Sequence, residues 1–304
     1  MSILITAKIN PDIDGVASIL AYAHLLRSSG HDVVAGIYGT PQEEVNYFIA
    51  KHHVRVDPLH VDSQISPDTE VVIVDGSSLK GMHPGIKAEK VTEIIDHRIV
   101  DYVEGSFPQA KIQIEAVGAA ATLIVERYMH TKTLVPAELG LLLFGAIVHN
   151  TLWLKSTNTT QRDIVALAHL APSMPNPRII TQEMFEYAAE AISKDPASLV
   201  KDGKQIVLDG TQVGIYQHIV WDIATTEINE LISLAVYANQ QATGSAWSCI
   251  IITSISHGKT LLFCPDQTGQ SVLSSKLEIR FTENYALLPQ LALRKQILEE
   301  LLKS

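Results

Sequence analysis

The 304-residue chain has little cysteine, few aromatic side chains and fewer positive than negative charges. Its two cysteines, Cys249 and Cys264, lack CxxC-type spacing and are too few for a disulfide framework, which is typical of a reducing compartment. Lys and Arg number 23 against 33 Asp and Glu, and the net charge of -10 argues against binding to long nucleic acids or anionic membranes. No apolar run reaches transmembrane length, and Met1–Ile5 lacks the basic start of a signal peptide. We therefore expect a cytoplasmic globular protein that binds neither long nucleic acid nor membrane.

Glycine-rich phosphate loops are missing as well. The sequence contains neither a GxGxxG motif nor a P-loop, so the usual dinucleotide and nucleoside triphosphate cradles are disfavoured. What the sequence does contain is 46% hydrophobic residues in a chain long enough for two domains.

The first part of the chain alternates apolar strands with helices. Runs that are apolar on both faces indicate a parallel sheet, so we predict an α/β domain over residues 1–192 with helices on both faces of the sheet. Its predicted strands are Ile3–Ile5, Asp32–Tyr38, Val54–Val56, Val71–Val74 and Val91–Ile95. Its predicted helices are Gly15–Ser28, Pro41–Lys51, Ala116–Tyr128, Ala137–Thr151, Thr160–Leu170 and Gln182–Ile192.

The pattern changes after Lys194-Asp195-Pro196, the predicted linker. Residues 197–304 are predicted to form a smaller α+β domain with a hairpin around Ser256-His257-Gly258. Its predicted strands are Gln205–Leu208, Val213–Trp221, Ala246–Ser254 and Lys259–Pro265, and its predicted helices are Glu227–Asn239 and Leu287–Leu302.

Polar residues follow the ends of several apolar elements in the first part. These residues are Asp12 and Asp14 after the first strand, Asp75 and Asp96-His97 after two later strands, and His149-Asn150 at the end of a helix. Parallel strands align their carboxyl ends, so these side chains can meet in one crevice. Clustered carboxylates repel one another unless cations share the site, and carboxylate with imidazole suits Mn²⁺, Mg²⁺, Co²⁺ or Fe²⁺. Asp75 is placed to bridge two metal ions in a phosphoryl-transfer clamp. A Pro-Asp-x-Asp segment is also typical of an ordinary turn that leads into a helix N-cap, without any metal ion.

The order of these motifs resembles the DHH phosphoesterase superfamily. The closest resemblance is to its manganese-dependent (family II) inorganic pyrophosphatases and exopolyphosphatases. The motifs that carry it are Asn10-Pro11-Asp12-Ile13-Asp14, Val74-Asp75, Asp96-His97, Lys155-Ser156 through Thr159, Asp202-Gly203-Lys204 and Arg294-Lys295-Gln296. The resemblance implies a DHH-type domain and a C-terminal DHHA2-like domain, a manganese cofactor and a phosphate substrate bound between the domains. It also implies a homodimer formed through an edge strand, for which Asp32–Tyr38 is the nearest segment.

The sequence departs from the family pattern at four positions. Lys8 stands where the family has a His ligand, Arg98 replaces the second His of the family motif, and Asn150 replaces an acidic ligand. Leu293 stands where a cation is expected. We therefore expect at most one well-formed metal site, held by Asp14, Asp75 and His97 with weak help from Asn150.

The neighbouring residues complete this expectation. Lys8 is expected to pair with Asp12 and Asp75, and Asp12 is expected to contribute to the metal site while being shared with Lys8 or with a weakly bound second ion. Asp96 is expected to orient His97 or to bind the metal directly, and His149 to ligate only after rotation of the helix end. The residues expected to neutralise substrate phosphates are Arg98, Lys204, Arg294 and Lys295. Each of these four is also interpretable as an ordinary solvated charge.

Three functions are compatible with this set of residues. The first is metal-dependent hydrolysis of a phosphoanhydride in pyrophosphate or a short polyphosphate by a metal-activated water. The second is a homologue that has lost hydrolysis and binds a phosphorylated ligand or a protein partner. The third is a nucleotide phosphodiesterase of the DHH type.

Overall fold

The computed structural model describes residues 2–98, 102–194, 203–222, 243–288 and 290–302, together with Val236 and Gln240. The chain divides into two compact units. The first unit comprises Met1–Leu154 and Asn158–Met184, and the second comprises Lys155–Thr157 and Phe185–Ser304. The predicted domain limits, 1–192 and 197–304, remain a prediction, and Asp195 and Pro196 of the predicted linker lie outside the described residues.

The first unit contains a five-stranded sheet in which every pairing is parallel, and this confirms the predicted α/β class. The strand order is β2-β1-β3-β4-β5. The strands are β1 Ile3–Thr6, β2 Val33–Gly36, β3 Glu70–Val74, β4 Val91–Asp96 and β5 Lys111–Ile114. The helices are α1 Ile13–Ser28, α2 Glu43–His52, α3 Ala120–Thr131, α4 Ala137–Asn150, α5 Gln161–Leu170 and α6 Pro177–Lys194. Helix α6 begins in the first unit and ends in the second.

Both faces of this sheet are buried, which explains why the strands read as continuous apolar runs. On one face, Tyr22 of α1 donates a hydrogen bond to Glu93 of β4. On the other face, Leu4, Val71 and Ile73 pack with side chains of the connecting segments. These side chains include Tyr38, Met82, Ile86 and Phe107. The sheet thus has core residues on both sides, and polar side chains collect where the strands end.

The structure differs from the predicted elements of this unit in one strand that does not form, one strand that was not predicted and one helix start. Val54–Val56 forms no strand: Val54 is buried, but the sheet contact in this region is a single bridge between Tyr38 and Leu59. The edge strand β5 was not predicted, because Lys111 and Gln113 interrupt its apolar residues. Helix α3 begins at Ala120 instead of Ala116, because Ala119 has extended backbone.

The second unit contains a six-stranded mixed sheet in the order β10-β11-β9-β8-β7-β6. Its strands are β6 Lys204–Leu208, β7 Thr211–Val220, β8 Trp247–Ser254, β9 Lys259–Phe263, β10 Phe281–Thr282 and β11 Tyr285–Leu288. Strands β7 and β8 are parallel and the other pairs are antiparallel. The hairpin around Ser256-His257-Gly258 is confirmed, with Gly258 at φ 65°.

Among the described residues of this unit, two further helices have defined bounds, α7 Gln267–Leu277 and α8 Arg294–Leu301. The predicted helix Leu287–Leu302 is wrong in its first half, because Tyr285–Leu288 pairs with β9 as a strand. The predicted helix Glu227–Asn239 lies outside the described residues except at Val236, which is helical. Across the described residues, no helix combines the length and the apolar character needed to span a membrane.

Candidate metal centre

Four elements of the first unit, α1, β3, β4 and α4, begin or end beside one another and bring polar side chains together. Asp12 is the N-cap of α1, where its carboxylate accepts from the Gly15 N–H at 3.0 Å, and Asp14 lies in the first turn. Asp75 follows β3, and His97 follows β4. Asn150 is the last residue of α4. The parallel register of β1, β3 and β4 brings these ends to the same edge of the sheet.

Asp14, Asp75 and His97 form the centre of this cluster. Their potential ligand atoms all lie within 4.8 Å of one another. His97 Nε2 is 3.5 Å from Asp75 Oδ1 and 3.8 Å from Asp14 Oδ2. His97 Nδ1 lies 3.2 Å from the Val117 carbonyl, and donation from Nδ1 to that carbonyl leaves Nε2 directed at the carboxylates. Two carboxylates and one imidazole with this orientation fit one divalent ion such as Mn²⁺.

The Asp14 carboxylate is fully buried and is held by neutral donors. Its Oδ2 accepts from the Ala120 N–H at 2.8 Å, and its Oδ1 accepts from the Ala121 N–H at 2.8 Å. The Asn150 side chain donates to Oδ2 through Nδ2 at 2.7 Å. The two main-chain donors belong to the start of α3, and neither was predicted from the sequence.

Asn150 and His149, at the end of α4, lie beside the Asp14 carboxylate. Asn150 faces Asp14 with its amide nitrogen, and a role as a metal ligand remains a prediction. His149 Nδ1 lies 3.4 Å from Asn150 Oδ1, so it contacts the centre through Asn150.

Asp75, in contrast, is surrounded by positive charge. Arg98 Nη2 donates to Asp75 Oδ1 at 2.6 Å and to the Asp75 carbonyl at 2.7 Å. The Lys8 side chain lies beside this segment. A Cβ placed on Gly76, the residue after Asp75, would be 3.9 Å from Lys8 Cε. The ammonium of Lys8 helps to lower the pKa of Asp75. Lys8 is thus near enough to act on the charge of Asp75, and its expected pairing with Asp75 and Asp12 remains a prediction.

The electrostatics follow from these contacts. Burial and the charge of Asp75 raise the pKa of Asp14 to about 7 and that of Asp12 to about 6. Burial acts in the same direction on Asp75, but Arg98, His97 and Lys8 outweigh it and lower the pKa of Asp75. Burial lowers the pKa of His97, yet the two carboxylates outweigh it and raise that pKa to about 9. A metal ion entering the centre must therefore displace protons from His97 and Asp14.

Asp96 forms hydrogen bonds with the main chain of the two residues that follow it. Its fully buried Oδ1 accepts from the His97 N–H at 2.7 Å and from the Arg98 N–H at 3.3 Å, and Arg98 Nε lies 3.4 Å away. Its Oδ2 has no hydrogen-bond partner among the described residues. Asp96 therefore fixes the backbone that carries His97, whereas the Val117 carbonyl orients the imidazole itself.

The remaining predicted site residues belong to the second unit. Lys204 is the first residue of β6, and Arg294 and Lys295 are the first two residues of α8. The Arg294 N–H donates to Gln217 Oε1. The phosphate-binding role of these cations remains a prediction.

Residues 2–146 match the model of the DHH family, N-terminal domain. These residues form a DHH-family domain. The match covers the segments that contain Asp12, Asp14, Asp75 and His97, so the candidate metal centre lies in the DHH domain.

Relatives extend the similarity beyond the DHH domain. A Streptococcus mutans protein named probable manganese-dependent inorganic pyrophosphatase is 26% identical, covering 99% of this chain and 98% of its own. A Bacillus pumilus protein of the same name is 27% identical, covering 94% and 93%. A Methanococcus jannaschii structure, provisionally named a family II inorganic pyrophosphatase, has a TM-score of 0.75 at 22% identity and covers 98% of both chains. The fold beyond the DHH domain, including the second sheet, is therefore shared with that structure.

Proposed function

We propose that the protein is a metal-dependent phosphohydrolase that cleaves the phosphoanhydride bond of pyrophosphate or a short polyphosphate. The observation that carries the proposal is the convergence of Asp14, Asp75 and His97 in a DHH-family domain. Relatives aligned over 99% and 94% of the chain carry the name of manganese-dependent inorganic pyrophosphatase, and this supports the choice of substrate.

In this proposal the first unit holds one divalent ion, manganese in the first instance and magnesium or cobalt as substitutes. Asp14, Asp75 and His97 bind it. When bound, the ion supplies a Lewis acid that polarises a phosphoryl oxygen and lowers the pKa of a coordinated water. The Ala120 and Ala121 amides and Asn150 fix the orientation of Asp14 toward it.

Lys8 and Arg98 supply the positive charge on the Asp75 side. Both lower the pKa of Asp75 and keep its carboxylate ionised. A guanidinium has five N–H donors, and the contacts of Arg98 with Asp75 and Asp96 use its Nη2 and Nε. We assign the other donors of Arg98 to a substrate phosphate.

The proposal also covers the cations of the second unit, the binding partner, the cellular location and the oligomeric state. Lys204, Arg294 and Lys295 bind further phosphate groups, which the resemblance of their motifs to family II pyrophosphatases supports. The partner is a small anionic phosphate, not a long nucleic acid or a membrane. The protein works in the cytoplasm as a homodimer formed through the edge strand β2, whose Val34 is 43% exposed.

A second candidate function is a binding protein that no longer hydrolyses its ligand. The observation that favours it is the set of contacts already made within the centre. Asn150 donates to Asp14 through its amide nitrogen, and Arg98 holds Asp75 Oδ1 at 2.6 Å. Such a protein binds phosphorylated compounds through Lys8 and Arg98 without a metal ion.

The deciding experiment measures phosphate release from pyrophosphate and from tripolyphosphate. Protein stripped with EDTA receives Mn²⁺, Mg²⁺ or Co²⁺ in turn, beside Asp75→Asn and the control Asp209→Asn, an exposed carboxylate of the second unit. Metal-dependent release that is lost in Asp75→Asn and retained in Asp209→Asn supports the hydrolase. Absence of release with every metal overturns it and leaves the binding protein.

A further inference from the structure

Asp163 is a buried carboxylate that the sequence analysis did not single out. It lies in the first turn of α5, where it forms a capping box with Thr160. Such capping residues are normally found at the surface, but Asp163 is 0% exposed. Among the described residues, no Lys, Arg or His lies within salt-bridge distance of it. Burial of an unpaired charge is costly, so its hydrogen bonds must supply the compensation.

Those hydrogen bonds come from two separate segments. Within its own turn, Asp163 Oδ2 accepts from the Thr160 N–H and hydroxyl, each at 2.7 Å. From the start of α3, the Gly118 N–H lies 3.0 Å from both carboxylate oxygens, and the Thr122 hydroxyl donates to Oδ1 at 2.6 Å. Capping of α5 requires only the Thr160 contacts. The hydrogen bonds from Gly118 and Thr122 instead connect α5 to the start of α3.

Glycine at position 118 allows this close approach. A Cβ at that position would lie 3.0 Å from Asp163 Cγ and 2.4 Å from Thr151 Cγ2. Any larger residue would push the turn away from the carboxylate. Gly118 is therefore fixed between α5 and Thr151, the residue that follows Asn150 at the end of α4.

The same turn holds the metal centre. Ala120 and Ala121 lie between Gly118 and Thr122, the two residues that Asp163 binds, and their N–H groups fix the two oxygens of Asp14. A shift of the turn by a fraction of an ångström would move both donors together. Asp163 is thus linked to Asp14 through the main chain of Gly118–Thr122, to which both carboxylates are hydrogen-bonded, and all of these residues lie in the first unit.

We propose that Asp163 is a positioning residue for Asp14. It holds the turn Gly118–Thr122 in the one place where two main-chain amides orient the Asp14 carboxylate toward the metal. The proposal rests on the proposed function in one respect, that Asp14 is a metal ligand. Loss of a direct hydrogen-bond partner of a metal ligand typically lowers metal affinity about 10- to 100-fold, and the effect of Asp163, which acts through such partners, should not exceed that range.

The first test needs no metal. Hydrogen exchange of metal-free protein is measured over the peptide that contains residues 118–121, in wild type and in Asp163→Asn. This substitution turns an amide nitrogen toward the N–H and hydroxyl donors, so we expect the N–H groups of the peptide to exchange about tenfold faster because the turn opens more often. Exchange equal to that of wild type in a folded Asp163→Asn protein overturns the proposal.

Two smaller substitutions separate a positioning role of Asp163 from a general loss of stability. Thr122→Val removes one donor to Asp163, and Thr253→Val removes an equally buried hydroxyl in the second unit that donates to the Ala292 carbonyl at 2.8 Å. Thr122→Ser restores the hydroxyl. These variants keep the question decidable if Asp163→Asn does not fold.

The readouts are the Mn²⁺ dissociation constant, followed by electron paramagnetic resonance of free Mn²⁺, and the visible spectrum of the Co²⁺ form. We expect Asp163→Asn and Thr122→Val to weaken binding and shift the Co²⁺ bands, while Thr122→Ser and Thr253→Val resemble wild type. Equal Tm losses in Thr122→Val and Thr253→Val with unchanged metal binding would reduce Asp163 to a structural role. A wild type that binds Mn²⁺ but releases no phosphate would contradict the proposed function and leave this inference standing.

Discussion

Asp14 and Asp75 are two carboxylates of one centre that share His97, and their other neighbours differ. Asp14 is held by two main-chain amides and the Asn150 side chain, all neutral, and burial raises its pKa to about 7. Asp75 is also buried, but it faces Arg98, His97 and Lys8, which lower its pKa. Hydrogen bonds from neutral donors fix an orientation, whereas neighbouring cations also supply charge. Both carboxylates share His97, but Arg98 and Lys8 add further positive charge on the Asp75 side, so an external cation is needed most on the Asp14 side.

Removal of the Asp14 charge is expected to have the largest effect. Asp14→Asn leaves two of the three proposed ligands and places an amide nitrogen against N–H donors, so Mn²⁺ affinity should fall at least about 100-fold. Isothermal titration with Mn²⁺ measures this loss, and Asp209→Asn is the control. Wild-type affinity in a folded Asp14→Asn protein would remove Asp14 from the metal site.

Replacement of Lys8 tests the other side of the comparison. If its ammonium takes the place of a second ion, Lys8→His combined with Asn150→Asp should raise the bound Mn²⁺ from one to two ions per chain. The neutral control Lys8→Met combined with Asn150→Asp removes the ammonium without adding an imidazole ligand. Metal analysis after gel filtration gives the count, and a second ion in the control would show that the imidazole is not required.

Arg98 should show effects of opposite sign on metal and substrate. Arg98→Met removes a cation that contacts Asp75, so Mn²⁺ should bind about tenfold more tightly, while KM for pyrophosphate should rise about tenfold because a phosphate donor is lost. Arg98→Lys should lie between the two. Steady-state kinetics beside metal titration separate the effects, and a fall in both affinities would contradict the assigned charge balance.

The pH dependence of stability is the smallest expected effect. In the folded metal-free protein the pKa of His97 rises to about 9 and that of Asp14 to about 7. The protonated His97 stabilises the fold fully below its ordinary pKa of about 6.5, and this contribution is lost as the pH rises through 9. Asp14 loses its proton more readily in the unfolded chain, which destabilises the fold as the pH rises from about 4 to 7. The Tm in EDTA should therefore fall from pH 6 to pH 9, and Mn²⁺ should restore it most at pH 9.

His97→Gln is the control for this prediction, since it removes the titrating imidazole. Its Tm should vary less between pH 6 and pH 9 than that of wild type. Equal slopes in the two proteins would assign the pH effect to other groups.

The convergence of the strand ends was predictable from the sequence. Asp75 and His97 follow continuous apolar runs, and such runs indicate parallel strands whose carboxyl ends align. The same logic fails for β5, whose Lys111 and Gln113 face partly exposed surroundings at the sheet edge. It fails again at Tyr285–Leu288, where a short apolar segment before a helix has no periodicity that separates strand from helix.

The hydrogen bonds that hold the centre were not predictable. Ala120 and Ala121 contribute main-chain donors, which leave no pattern in side-chain chemistry. Asp163 forms an ordinary capping box with Thr160 in sequence, and only the fold shows its burial against Gly118. Arg98 was expected to bind phosphate, but the sequence contains no information on which carboxylates lie nearest to its guanidinium.

The most direct test of the account is the number of Mn²⁺ ions that wild-type protein binds at neutral pH. Electron paramagnetic resonance of a titration of EDTA-stripped protein gives both the count and any coupling between ions. We expect one tightly bound, magnetically isolated ion per chain, which Asp14→Asn abolishes. Two coupled ions would show that Lys8 and Arg98 do not replace a metal, and no tight ion would contradict the metal centre itself.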